Sequence, residues 1–312
     1  MAAVFLITLL IPLVLLLKYG IYTPPNQEDD RTVSVYIKKE DKVVNLKESQ
    51  YLKEVVSAEM PASFELEALK AQAVAARSYL RSRQNAYKIQ GTPQVHKGAD
   101  MCTDPTHCKA WISEEERRKS WGADANKNWD KISRAVDETK GEVITYNDEV
   151  ISAVFHSTSS GKTESSKDVW GGERPYLVSV ESPGDELSPK YKSEKEMSLD
   201  EFKKIAKENI EGVDFSKGII GNIARSGAGG ILTVEIGGVA VKGTVFRKIY
   251  DLRSTNVEIN IDGKKVRFDV TGFGHGVGMS QYGANYLAQQ GKTYGEILKT
   301  YYTGVEIKNE EN

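Results

Sequence analysis

Four short stretches of this sequence carry reactive or ligating side chains, each at a boundary between ordered elements. The first is Ala58-Glu59-Met60-Pro61. Leu52, Val55 and Val56 follow a helical period that ends near Glu59, because a proline disfavours helical geometry just before it. A carboxylate at a helix C-terminus meets the negative end of the dipole, and Met60 and Phe64 supply partial desolvation. Both effects are expected to raise its pKa. A carboxylic acid that keeps its proton near neutral pH suits general-acid work at a glycosidic bond. The plainer alternative is a surface glutamate that ends a helix.

The second stretch is His96-x5-Cys102-x4-His107-Cys108. Two thiols and two imidazoles in so short a span can supply four ligands for tetrahedral zinc. The spacing matches no common finger, and adjacent His107 and Cys108 have to turn toward one ion. A Cys102–Cys108 disulfide is the alternative outside the cytoplasm. The donor set favours metal, and four protein ligands would leave no open position for catalysis. The third stretch runs Phe155-His156-Ser157-Thr158-Ser159-Ser160-Gly161-Lys162-Thr163-Glu164. It offers hydroxyls and backbone amides to a sugar. A serine hydrolase is disfavoured, since no G-x-S-x-G elbow accompanies it. The fourth is Gly272-Phe273-Gly274-His275-Gly276-Val277-Gly278-Met279-Ser280-Gln281-Tyr282-Gly283-Ala284. Its glycines bare the backbone to a ligand or to another segment. As a phosphate loop it fails, because the spacing is wrong and no lysine follows.

The hydropathy pattern shows which helices and strands carry these stretches. Val33, Val35 and Ile37 alternate as a strand, and Val43, Val44 and Leu46 read as its return. Leu66, Leu69, Ala73, Ala76 and Leu80 give one helical stripe, kept thin by alanine so that a neighbour can approach. Ser113 with Glu116 caps a short charged helix, and Ile132 and Val136 mark another, closed by Gly141. Two strands between Val143 and Phe155 flank Asn147-Asp148, and Tyr176–Val180 reads as a further strand. Ser198 with Glu201 caps a helix carrying Phe202, Ile205 and Ala206. Strands follow at Ile231–Ile236, Val239–Val245, Val257–Ile261 and Val266–Val270, with Asp262-Gly263 as a hairpin turn. Helices near Met279–Gln290 and Tyr294–Tyr302 close the chain. Helices and antiparallel strands fall in blocks, which is an α+β pattern.

Composition narrows the class of partner. A formal charge of −2 over 312 residues is too small a field to argue for nucleic acid or anionic lipid, and leaves a neutral sugar polymer or a protein. Two cysteines are too few for a stapled scaffold. Ala2 to Leu17 is uncharged, and the run through Tyr22 is about as long as the ~20 residues a bilayer core requires. An uncleaved anchor is expected over residues 1–22, with a linker at 23–32 and one exported domain at 33–312. A cleaved signal peptide is the alternative, but no small-x-small site precedes Thr23-Pro24-Pro25. Lys18 follows the span and no Lys or Arg precedes it, so charge alone does not place the C-terminal side outside.

These four segments, in this order, resemble the stage II sporulation protein D family, which shares a domain with amidase-enhancer proteins, and three of them are similar to its long signatures. Glu59-Met60-Pro61 with Phe64-Glu65-x-Glu67 through Tyr79 is similar to the first. His156 to Glu164, with Val169-Trp170 and Pro175-Tyr176-Leu177, is similar to the second, and Gly274 to Ala284 to the third. The resemblance implies a two-lobed, membrane-anchored lytic transglycosylase acting in forespore engulfment on peptidoglycan glycan, preferably stripped of stem peptides. It implies Glu59 as the catalytic acid and a cleft lined by Arg77, His156, Ser157, Ser159, Thr163, His275, Gln281 and Tyr282. It further implies zinc on His96, Cys102, His107 and Cys108, no organic cofactor, an extracytoplasmic domain on the mother-cell membrane facing the forespore, and stage II sporulation proteins P and M as partners. The rival readings are a non-catalytic glycan-binding activator of an amidase and a zinc hydrolase centred on Cys102 and Cys108.

Overall fold

The computed structural model describes residues 31–310. The expected anchor lies outside the described residues, as does the linker up to residue 30. Among the described residues no helix is long and apolar enough to cross a membrane.

The chain begins with β1 (Thr32–Ile37), antiparallel to β2 (Lys42–Lys47). Helix α1 (Glu48–Glu59) ends at the residue before Met60. The residues between Met60 and Glu65 turn the chain into α2 (Leu66–Gln90), whose expected stripe is buried from Ala68 to Leu80. Its small side chains let α1 and several later elements pack on one helix. Strand β3 (Met101–Cys102) lies parallel beside β1 and starts the cysteine-bearing loop. The Ser113 hydroxyl accepts from Glu116 N to start α3 (Glu114–Trp121), and α4 (Ala125–Asp137) follows. β4 (Glu142–Tyr146) and β5 (Glu149–Val150) form a hairpin in which Asn147 and Asp148 both take positive φ, as a type I′ turn requires. After the short β6 (Phe155–His156) comes α5 (Ser166–Trp170).

The chain then builds a second hydrophobic core. β7 (Lys192–Ser198) and α6 (Leu199–Asn209) precede β8 (Ile220–Arg225), β9 (Ile231–Ile236) and β10 (Val239–Lys242). α7 (Gly243–Ile249), β11 (Val257–Asp262) and β12 (Lys265–Thr271) complete it. Two antiparallel sheets, β8-β9-β10 and β11-β12-β7, enclose Phe202, Phe246, Tyr250 and Phe268, with Phe202 stacked on Tyr250 at 4.7 Å. The chain returns to the first core through β13 (Met279–Ser280), α8 (Gln281–Gln289), α9 (Tyr294–Tyr301) and β14 (Glu306–Asn309). β13 pairs in parallel with β6, setting Ser280 opposite His156. β14 pairs with β4, so the first core is closed by distant parts of the chain.

The mixed α and β character, with helices and antiparallel sheets, agrees with the pattern. Four details differ. Tyr176–Val180 is not a strand: its carbonyls accept singly from the loop after β6, Leu177 O from Ser166 N and Val180 O from Thr163 N, and no ladder forms. β7 shows no apolar alternation because it is an edge strand on which only Met197 is buried. The expected strand through Val245 stops at Lys242, where α7 begins. The Asp262 turn moves by one residue, since Asp262 pairs with Lys265 and leaves Gly263-Lys264 as the loop.

Candidate functional site

Glu59 is half-buried at the end of α1. Its Oε1 accepts from the Ala110 amide at 2.9 Å, and its Oε2 from Gln281 Nε2 at 3.1 Å. Each oxygen keeps a second lone pair for a proton or a ligand. The Ala110 contact belongs to a wider grip of α1 on the cysteine-bearing loop. Buried Glu54 accepts from Trp111 Nε1 at 2.8 Å and from Glu114 N at 3.1 Å. The Gln281 contact comes from the opposite end of the sequence, and it is set by how α8 starts. The Ser280 hydroxyl accepts from Gly283 N as the cap of α8 and donates to Asp185 Oδ1 at 2.5 Å. Asp185 is fully buried and also takes the hydroxyls of Ser182, at 2.7 Å, and Ser159. Burial pushes the Asp185 carboxyl up, and the three hydroxyl donors work against that shift.

Glu59 opens on a cavity of about 910 Å³, within the usual range of ligand sites. Five cations line it: Arg83, Lys109, Arg174, Lys190 and Arg247. Among the described residues, Glu59 is the only acid on its wall, and none of the five cations has an ion-pair partner. Lys109 sits between two rings, 4.2 Å from the centre of Tyr79 and 3.7 Å from that of Phe155. The small net charge therefore conceals a strongly positive cleft. A second cavity of about 390 Å³ adjoins the first, and the two share Glu59, Ser157, Lys190 and Gln281.

His156 and His275 lie in the main cavity with ring centres 5.6 Å apart, and Trp170 stands 5.3 Å from His275. His156 Nδ1 donates to Val277 O at 3.2 Å, which leaves Nε2 as a buried acceptor without a partner. His275 Nδ1 accepts from Val277 N at 3.1 Å, so its proton is on Nε2. The pair thus presents one open acceptor, His156 Nε2, while His275 also meets the Phe155 backbone. Burial lowers His156 to about 4, and desolvation with the nearby His156, Lys109 and Arg247 holds His275 well below its ordinary value. Both rings are neutral near pH 7. The glycines of the fourth stretch serve this arrangement by close packing. A Cβ on Gly278, at φ +73°, would stand 2.2 Å from Val154 O, and one on Gly274 would stand 2.7 Å from His156 Cβ.

Three expected cleft residues are elsewhere. Arg77 is 2% exposed in the first core, where it donates to Glu142 O and Val136 O and faces Glu48. Thr163 is fully buried, and its hydroxyl accepts from Val180 N at 3.0 Å. Ser159 is buried on Asp185. All three look polar and available in a linear sequence, but each satisfies buried polar groups. Ser157 and Gln281 border both cavities, and Tyr282 borders the smaller one.

The four candidate metal ligands converge. One ligand atom from each of His96, Cys102, His107 and Cys108 lies within 4.8 Å of every other. His96 Nε2 is 3.0 Å from His107 Nδ1 and 3.2 Å from Cys108 Sγ, and His107 Nδ1 is 3.6 Å from each sulfur. A tetrahedron with zinc bonds of about 2.0–2.3 Å has edges of roughly 3.3–3.8 Å. His96 Nδ1 donates to Ala99 O at 3.1 Å, which leaves Nε2 free to ligate. His107 turns its Nδ1 inward, which lets the adjacent Cys108 reach the same point. Both cysteines are free thiols, so the disulfide alternative is not adopted. The residues fit zinc.

Residues 36–146, which hold Glu59 and all four candidate ligands, match the family model described as Stage II sporulation protein. The chain is 38% identical over 290 residues to stage II sporulation protein D of Bacillus amyloliquefaciens, covering 93% of this chain and 82% of that protein. The chain belongs to the stage II sporulation protein D family. The Bacillus subtilis (strain 168) member is also 38% identical, over 277 residues, 88% of this chain and 78% of that one. A more distant relative is the amidase enhancer of the same organism, 30% identical over 82% of this chain and 40% of its own length. Family membership therefore extends across both hydrophobic cores. Lys190, Arg247 and Asp185 lie outside the three signatures, and nothing in their local sequence sets them apart. Arg83 offered one signal: it falls one turn past Tyr79 on α2, beyond the apolar stripe.

Proposed function

We propose that this family member is a lytic transglycosylase that cuts peptidoglycan glycan strands between N-acetylmuramic acid and N-acetylglucosamine during engulfment of the forespore. The observation that carries the reading is Glu59, one carboxyl group held by two N–H donors where two adjoining cavities meet. Among the described residues no second acid lines the larger cavity. Glycosidases that use water require two carboxyl groups. A transglycosylase requires one. Glu59 protonates the oxygen leaving C1 of N-acetylmuramic acid, and the charge developing on the ring is relieved by the neighbouring acetamido carbonyl. The Glu59 carboxylate then takes the proton of the same sugar's C6 hydroxyl as that oxygen closes on C1, giving a 1,6-anhydro end. Gln281 and Ala110 hold the carboxyl group in place through both steps.

The cations support stripped strands as substrate. Once the stem peptide is removed, each muramic acid bears a free lactyl carboxylate, which the unpaired cations of the cleft complement. His96, Cys102, His107 and Cys108 would hold zinc, which would brace the loop and so fix Ala110 against Glu59. Residues 1–22 would anchor the domain to the mother-cell membrane on its extracytoplasmic side, beside stage II sporulation proteins P and M. A second reading, a glycan-binding activator of an amidase, is favoured by the amidase-enhancer relative. Mass spectrometry of peptide-stripped strands incubated with the full chain in detergent separates the two. Products ending in 1,6-anhydro-N-acetylmuramic acid, absent with Glu59→Gln, are expected; intact strands that still bind would establish the activator.

A further inference from the structure

We propose that the smaller cavity beyond Glu59 is a separate saccharide subsite, in which Arg117 reads the carboxylate of a muramic-acid-type sugar. The inference rests on the glycan reading of the main cleft and assigns a role to residues outside the three signatures. The cavity of about 390 Å³ is walled by Phe64, Trp121 and Tyr282 on its aromatic side and by Arg117 on its polar side. Because it shares Glu59, Ser157, Lys190 and Gln281 with the larger cavity, a linear polymer occupying both passes Glu59 between them.

Arg117 is what distinguishes this cavity from a packing defect. Its guanidinium has no hydrogen-bond or ion-pair partner among the described residues, and its Nε is buried without one. Two acids of its own helix are engaged elsewhere, Glu114 with Arg118 at 2.6 Å and Glu116 with the Ser113 hydroxyl at 3.1 Å, and the third, Glu115, forms no ion pair with Arg117. Arg117 instead lies 5.5 Å above the ring of Trp121, which orients its planar fork. Lys190 adds a second unpaired cation to the same wall. An orphaned, pre-oriented guanidinium beside aromatic surface suits a ring with apolar C–H faces and one carboxylate. A hexosamine with a free lactyl ether has both. In the same sugar joined to a stem peptide the lactyl carboxylate is an amide and lacks that charge.

The test separates this subsite from the catalytic reading by measuring binding on the inert Glu59→Gln full chain. The two probes are a stripped tetrasaccharide of alternating N-acetylglucosamine and N-acetylmuramic acid, and the neutral chitin tetrasaccharide. Adding Arg117→Gln is expected to weaken the muramic tetrasaccharide about tenfold and the chitin tetrasaccharide less than twofold. Trp121→Ala should weaken both, and Arg117→Lys, which restores the charge, should recover most of the discrimination. No loss on Arg117→Gln, or an equal loss for both probes, overturns the proposal. Should Arg117→Gln fail to melt cooperatively, the muramic tetrasaccharide with its lactyl groups converted to amides is titrated against the Glu59→Gln chain instead, and undiminished affinity overturns it. If the unsubstituted chain leaves strands uncut while Arg117→Gln still loses the muramic probe selectively, the transglycosylase reading falls and the subsite stands.

Discussion

Replacing Asp185 with alanine should loosen both the fold and the placement of Glu59. Three buried hydroxyls lose their acceptor in that variant: Ser159, Ser182 and Ser280. Ser182 keeps Tyr301 at 2.9 Å, while Ser280 has only Ser157 O at 3.4 Å to turn to. Two hydroxyls left without a good partner, at about 1–2 kcal/mol each, give a loss of about 3 kcal/mol. For a chain of this size that lowers Tm by about 6–12 °C. Ser280 caps α8 and so fixes where Gln281 meets Glu59, and glycan cleavage should fall about ten- to hundredfold as that geometry slackens. Asp185→Asn keeps the shape and one acceptor, and should cost about 1 kcal/mol. Its pH dependence has a definite sign. Burial raises the folded-state pKa of Asp185, so its contribution to stability is full below its unfolded value and is lost as pH rises through the raised one. An amide in its place does not titrate, so Asp185→Asn gains on the unsubstituted protein as pH rises. Thermal melts across pH, with strand cleavage followed in parallel, make the measurement. An Asp185→Ala protein that melts within about 1 °C of the unsubstituted chain would mean that the three hydroxyls do not depend on this carboxyl.

Two further outcomes follow from the same geometry. Arg77→Met removes the donor of two core carbonyls but leaves Glu48 paired with Arg81 at 2.7 Å; it should cost about 3 kcal/mol in denaturant melts while glycan binding stays within twofold. Binding lost at unchanged stability would return Arg77 to the cleft. Metal analysis should find one zinc per chain, and chelation should lower Tm by about 8–16 °C, the effect of removing a ligand present at about 1,000 times its Kd. Activity abolished with no change in Tm would favour the zinc hydrolase.

Much of the site could be read without a fold. Glu59 at a helix end follows from Pro61 and an apolar period, both local. The donor set of His96, Cys102, His107 and Cys108 lies within residues 96–108, so its composition was legible from spacing, while the convergence of the four on one point required the fold. The alanine-rich stripe of α2 likewise required only the 3.6-residue repeat. Each of these rests on neighbours in sequence, where covalent geometry limits the outcomes.

Partners far apart in the chain set the rest. Arg77, Ser159 and Thr163 carry the polarity of ligand-binding residues, and only packing shows that their hydrogen bonds end on buried carbonyls, an amide and a carboxylate. The net charge of −2 is a sum, which does not reveal that Arg83, Lys109, Arg174, Lys190 and Arg247 share one wall. The helices, the candidate acid and the candidate metal donors were therefore legible in the linear chain, because they depend on spacing along the backbone. Which polar groups face the cleft was settled by the folded arrangement, because burial and charge depend on distance in space.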